Sequence, residues 1–293
     1  MKNWSADLPY ITSKQQEVMM FIYKFRFLDR IQVQTLLEHK DYKRINAWLR
    51  DLVSKGYLVR IYERKIPLNI QPAVYFAAPT GVRLLKRKGN SDIVHKLYRE
   101  KYRSDKFRNH CLSLANLYIE LLQRTKDLNA LNYFHTKVDL SEVEDMIEPY
   151  PDALFSLNRA PSEIIKKEKT QESLGETFEE GQRSRFKSRK ERRYFLELME
   201  QGVPRYYLRY RVRQYLKYSD SDTDQQPGTN PVALFICAND QTRLFLTKFI
   251  KKALEKTFFK THFTFALTTL DQLLASGIFG EIWTPINLRE LKS

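Results

Sequence analysis

The chain has 293 residues, 42% of them hydrophobic and 13% aromatic, with 50 Lys/Arg against 35 Asp/Glu and a formal net charge of +15. That apolar share excludes a disordered chain and allows about two domains. No apolar run reaches the ~18 residues of a membrane span, and the charge favours a polyanionic partner.

The charge is unevenly spread. Residues 1–104 carry 21 Lys/Arg and 9 Asp/Glu, a net of +12, while the remainder carries 29 and 26, a net of +3. Solubility does not require that asymmetry; a nucleic-acid-binding domain in the first third does. The opening stretch MKNWSADLPYITSKQQ lacks the apolar core of a signal peptide. Cys111 and Cys237 lie far apart and form no ligand motif. A reducing, cytoplasmic setting without membrane association is the expectation.

In chain order, SKQQEVMMFIYKFRF predicts an amphipathic helix with Ser13 as N-cap and Gln16 completing a capping box. Val18, Phe21, Ile22 and Phe25 form its apolar face. DRIQVQTLLEHK predicts a short second helix with Ile31, Leu36 and Leu37 inward. Asp41 caps a third. At 100° per residue, Ile45, Trp48, Leu49, Leu52 and Val53 share one face of that helix. Lys43, Ala47, Arg50 and Ser54 share the opposite face, with Arg44 adjacent. Small and basic residues alternate there, which permits close approach to a phosphate backbone. Gly56 stops the helix.

YLVRIYE and AVYFAAPT then predict two strands joined by RKIPLNIQP, and TGVRLLKRKG starts a further helix. Three helices followed by a basic hairpin is the order of a winged helix-turn-helix, in which the third helix enters the major groove and the hairpin touches the backbone or minor groove. Arg60, Arg64 and Lys65 are the hairpin's candidate contacts. The competing structural reading is a core helix with a solvated basic side.

Residues 91–104 are polar and predict a linker between a domain at 1–90 and one at 105–293. DKFRNHCLSLANLYIELLQRT is a helix with Leu112, Ala115, Tyr118, Ile119 and Leu122 on one side. Strands follow at LNYFHTKVDL, YPDALFSL and RRYFLELME. RYYLRYRVRQYLKY is a helix, with Leu208, Val212, Tyr215 and Leu216 as its core face. Arg205, Arg209 and Arg213 repeat along another face and are further candidates for phosphate contact. A strand, a helix, a strand, a short helix and a last extended piece complete a mixed sheet flanked by helices, an α+β or mixed class. Residues 158–193 are mostly charged and predict a mobile insertion between two strands.

Asp152 and Glu197 fall on neighbouring predicted strands. Buried carboxylates are costly unless paired or bound to a cation. Two together could hold Mg²⁺ through oxygen ligands, and the metal could activate water against a phosphodiester. Nucleases of the restriction-endonuclease-like fold place an acid after Pro and then Glu-x-Lys on the next strand. Here the position two after Glu197 is Met199, so Arg209 or Arg213 would have to supply the missing cation. Gln214 and Tyr218 have a Gln-x-x-x-Tyr spacing found in some such enzymes. The five histidines show no zinc-type spacing, and no glycine-rich phosphate loop is present.

Taken in order, INAWLRDLVSKGYLVRI, VYFAAPTGVRLL, FRNHCLSLANLYIELL, PDALFSL, YFLELMEQG and LKY, closed by a strand-helix-strand ending in IW, resemble the replication-relaxation family carried on plasmids and other mobile elements. The resemblance covers nearly the whole chain apart from 158–193. It implies a DNA-binding protein with a winged helix and a restriction-endonuclease-like domain, acting in replication, mobilisation or transcriptional control of its element. Asp152 and Glu197 match the family's acids; Met199 departs.

Three functional expectations follow. The first is recognition of double-stranded DNA by the third helix and the hairpin, with an inactive nuclease-like domain, no cofactor, and contact with replication or mobilisation proteins. Many winged-helix proteins dimerise on near-palindromic sites, so a homodimer is one arrangement open to this chain. The second is a Mg²⁺-dependent nuclease or nickase using Asp152 and Glu197 for both catalysis and metal binding. The third is a protein-interaction module built on the winged helix.

Overall fold

A computed structural model describes residues 8–62, 71–87, 92–141, 143, 145–159, 161, 164, 191–220, 231–256 and 263–286. The chain divides into two compact units, residues 1–119 and 120–293.

In the first unit, helix α1 (Ser13–Phe25) begins one residue earlier than its sequence suggests. Thr12, not Ser13, is the N-cap, and Gln15, not Gln16, completes the capping box. The reason is tertiary. Gln15 is buried, and its amide also donates to Asp51 Oδ2 at 2.7 Å. Only this phase of the cap lets one side chain do both jobs. Val18, Met19, Ile22, Tyr23 and Phe25 turn inward.

A two-residue strand, β1 (Leu28–Asp29), leads into α2 (Arg30–Leu36), capped by Asp29 with Gln32. Leu37 is buried as expected, but Ile31 is 52% exposed and Val33 turns inward in its place. Buried Gln32 sets this phase by donating to the Leu112 carbonyl at 2.8 Å and to Asn116 Oδ1 at 2.6 Å.

Helix α3 (Tyr42–Ser54) follows the Asp41 cap, whose carboxylate accepts from the Lys43 N–H at 2.8 Å. It buries Ile45, Leu49 and Leu52. Gly56, at φ +72°, ends it in a conformation that a side chain would strain. Strands β2 (Leu58–Ile61) and β3 (Val74–Ala77) pair antiparallel, with Arg60 opposite Tyr75 and Val59 opposite Phe76. Strand β1 pairs with the other edge of β3, so the sheet order is β1-β3-β2.

Helix α4 (Pro79–Arg87) packs Val82 and Leu85 into this core. A Cβ on Gly81 would come within 2.3 Å of the Tyr57 carbonyl oxygen, so the helix can approach only as glycine. Residues 92–102, expected as a linker, form a 3-10 helix. It contacts α4 and β3, and its buried Glu100 is ion-paired with Arg26. The boundary between the units falls within the long helix α5 (Asp105–Thr125).

The second unit is a six-stranded mixed sheet in the order β4-β5-β6-β7-β8-β9. Its strands are β4 (Leu131–Thr136), β5 (Ala153–Leu157), β6 (Arg192–Met199), β7 (Val232–Cys237), β8 (Thr264–Thr269) and β9 (Thr284–Ile286). The pairs β4/β5, β5/β6 and β8/β9 are antiparallel; β6/β7 and β7/β8 are parallel. Parallel neighbours need a crossover. Helices α7 (Arg205–Asp220) and α8 (Asp240–Lys256) provide the two, while the shorter α6 (Lys137–Leu140) and α9 (Leu270–Ser276) follow β4 and β8.

Strand β7 is buried at every position, as expected for a central parallel strand. The core is aromatic around Tyr215, whose ring lies 5.9 Å from Phe195 and 5.6 Å from both Phe235 and Phe263. Burial pushes the Cys237 thiol up to about 12, so this cysteine serves packing. The charged insertion expected between β5 and β6 lies, for residues 165–190, outside the described residues.

Candidate functional site

The first candidate is the outer face of α3. Lys43, Arg44, Ala47, Arg50 and Ser54 are all exposed, while Ile45, Leu49 and Leu52 hold the helix from behind. Among the described residues, Lys43, Arg44 and Arg50 have no acidic partner. From β2, Arg60 is also exposed, with its guanidinium 5.0 Å from the half-exposed ring of Tyr62. Burial raises the Tyr75 phenol, and Arg60, Arg30 and Arg50 oppose that rise in turn. Arg60 stands opposite Tyr75 in the β2/β3 pair, and the charges of Arg30 on α2 and Arg50 on α3 also act on that phenol. Sequence reasoning missed Arg30; its signal was its place as the first residue after the Asp29 cap. Arg64 and Lys65 lie outside the described residues.

The second candidate is the pair of acids in the second unit. Asp152 stands just before β5, and its N–H donates to the Leu196 carbonyl at 3.0 Å. Because β5 and β6 pair antiparallel with Ala153 opposite Leu196, Asp152 and Glu197 come side by side. Both are buried. Each carboxylate meets its own cation. Lys137, the first residue of α6, donates to Asp152 Oδ1, and the Leu198 N–H donates to Oδ2 at 2.7 Å. Arg211 donates from Nε to Glu197 Oε1 at 2.8 Å and again from Nη2. Its Nη1 donates to the Pro149 carbonyl. The Tyr215 hydroxyl donates to the same Glu197 oxygen at 2.6 Å.

The electrostatics agree with this pairing. Burial lifts the Glu197 carboxyl above the usual carboxylate range, and Arg211 opposes it. Burial works against the charge on Lys137, but Asp152 and then Glu197 outweigh it and hold the ammonium above its ordinary range. Burial also works against Arg211, and Glu197 outweighs it. The Tyr215 phenol is pushed well up, by burial and then by Glu197.

Arg209 and Arg213, the expected sources of the missing cation, are exposed on α7 rather than at the acids. Their guanidiniums, with that of Arg205, lie over Phe245 and Phe249 of α8. Lys137 and Arg211 take the place assigned to them. Arg211 had a readable signal: with Leu208, Val212 and Tyr215 it completes an i, i+3, i+4, i+7 stripe, so it sits in the core-facing row.

A divalent cation needs several open oxygen ligands. Here two carboxylates are already matched by two side-chain cations, a phenol and a backbone N–H. Among the described residues no group of three or more acids, histidines or cysteines gathers where it could hold a metal. As arranged, both carboxylates are held in ion pairs and hydrogen bonds by Lys137, Arg211, Tyr215 and the Leu198 N–H.

The sequence model described as replication-relaxation matches residues 19–232. The chain belongs to the replication-relaxation family. The match runs from within α1 to the first residue of β7, so it takes in the basic face of α3 and all five residues of the ionic cluster. Replication-relaxation membership points to a role in replication or on mobile elements. No curated protein and no solved structure matches the chain. Among the described residues of this replication-relaxation protein, no helix is long and apolar enough to cross a membrane.

Proposed function

We propose that this protein binds double-stranded DNA of a plasmid or other mobile element, in its replication, mobilisation or transcriptional control. The first unit is read as a winged helix. The order α1-β1-α2-α3-β2-β3 and the sheet order β1-β3-β2 support that reading. The observation that carries it is the outer face of α3, where three exposed cations, without an acidic partner among the described residues, share a face with Ala47 and Ser54. Long basic side chains reach base edges or phosphates, and small residues let the helix backbone approach the groove. Arg60 on β2 adds a backbone contact from the hairpin. The second unit is read as a restriction-endonuclease-like fold whose acids are held in ion pairs rather than used for cleavage.

The test is selection from a pool of random duplexes. The wild-type chain is expected to enrich a shared motif, and Lys43→Ala/Arg50→Ala to enrich none. Enrichment of the same motif by both proteins contradicts the assignment to α3.

One observation favours a second reading, a metal-dependent nuclease or nickase. Lys137 stands at Asp152 and provides the cation that Met199 does not. That reading predicts Mg²⁺- or Mn²⁺-dependent breaks in supercoiled plasmid that disappear in Glu197→Ala. Intact plasmid with either ion, or equal cleavage by the variant, removes it. The third expectation, a winged helix that docks another protein, has no particular residue in its favour.

A further inference from the structure

The exposed side of α7 in the second unit interleaves arginines with tyrosines. Arg205, Tyr206, Tyr207, Arg209, Tyr210, Arg213 and Lys217 are all exposed, with Tyr206 at 73%. The Tyr207 and Tyr210 rings lie 6.3 Å apart. The Arg205 and Arg209 guanidiniums sit 5.1 and 5.3 Å from the Phe245 ring centre, and Arg213 sits 5.7 Å from that of Phe249. Among the described residues none of the three arginines has an acidic partner.

These contacts fix the cations without neutralising them. Each guanidinium is held over a phenylalanine ring, and a cation held this way can still pair with a phosphate. Arginines four apart on a helix recur about every 6 Å along its axis. The tyrosines between them are exposed, Tyr206 at 73% and Tyr210 at 44%. A duplex offers a protein its base edges and backbone, because its base faces are stacked on one another. Unpaired bases do present faces, and aromatic side chains beside a basic track are the usual platform for them.

We infer that the α7–α8 face binds single-stranded nucleic acid, with Tyr206 and Tyr210 stacking on bases and Arg205, Arg209 and Arg213 pairing with phosphates. This surface belongs to the second unit, and its ligand goes beyond the duplex recognition proposed for α3. Its substrate class is an unpaired strand of low sequence preference, such as one exposed when a replicating or mobilised duplex opens.

The test is fluorescence anisotropy of the full chain with labelled oligothymidylate and with a duplex of equal length. Four proteins are compared: wild type, Tyr206→Ala/Tyr210→Ala, Tyr206→Phe/Tyr210→Phe and Lys43→Ala/Arg50→Ala. The alanine pair is expected to weaken oligothymidylate binding roughly tenfold or more. The phenylalanine pair keeps the ring faces and should bind as wild type does. The α3 variant should lose duplex binding and keep the single strand. The inference is overturned if the alanine pair binds oligothymidylate normally, or if the phenylalanine pair fails as the alanine pair does. It is also overturned if the α3 variant loses both ligands. A wild-type chain that ignores oligothymidylate, but whose self-association falls in the alanine pair, makes this face a protein interface and overturns it equally.

Discussion

Arg211 is 1% exposed and shares one carboxylate oxygen of Glu197 with Tyr215. A cation so placed is worth little as a net stabiliser, because taking both charges out of water offsets most of their attraction. Removing one partner is another matter, since the other stays buried and uncompensated. Arg211→Ala is therefore expected to destabilise the second unit by about 3–5 kcal/mol in urea unfolding. Arg211→Leu/Glu197→Leu should lose clearly less than that single change. Equal losses would mean that Glu197 does not depend on Arg211 for its charge.

The same residues show what could be read early. Asp152 and Glu197 were recognisable as acids on neighbouring strands because strand spacing and the Pro-Asp pair are local features. Lys137 was not, because its approach to Asp152 depends on where β4 ends and α6 begins. Arg209 and Arg213 stand out in the sequence because they lie one turn apart on the next helix. Burial follows the apolar stripe, however, and the stripe contains Arg211.

At the level of elements, periodicity placed most of the helices and strands. The face of α3 follows from its 3.6-residue repeat, with Ile45, Leu49 and Leu52 in and Lys43, Arg44 and Arg50 out. Where the sequence misled, a buried amide was responsible. Gln15 and Gln32 look like surface residues in a hydropathy reading, yet both are buried and bonded to other helices. Their partners lie 36 and 80 residues away, which no local pattern encodes. They shift the α1 cap by one residue and turn α2 so that Ile31 faces water. The polar stretch at 92–102 looked like a linker because its charges suggested solvation. One of those charges, Glu100, is buried on Arg26, and the stretch packs as a 3-10 helix.

At the scale of the whole molecule, the net charge is +15. Among the described residues, exposed basic side chains lie on the outer face of α3 and at Arg60 in the first unit, and on the arginine-tyrosine face of α7 in the second. The acids of the central sheet contribute no open field, since Lys137 and Arg211 neutralise them. Family membership points to replication or mobile elements, and the proposed duplex contact is made by α3. The direct test is the salt dependence of duplex binding for wild type and Lys43→Ala/Arg50→Ala. Each phosphate contact adds about −0.9 to the slope of log affinity against log salt. Duplex contact by α3 predicts a steep wild-type slope and a variant that binds more weakly with a slope shallower by up to about 1.8. Equal affinity and equal slope for the two proteins would mean that α3 is a core helix with a solvated basic side, and would contradict it.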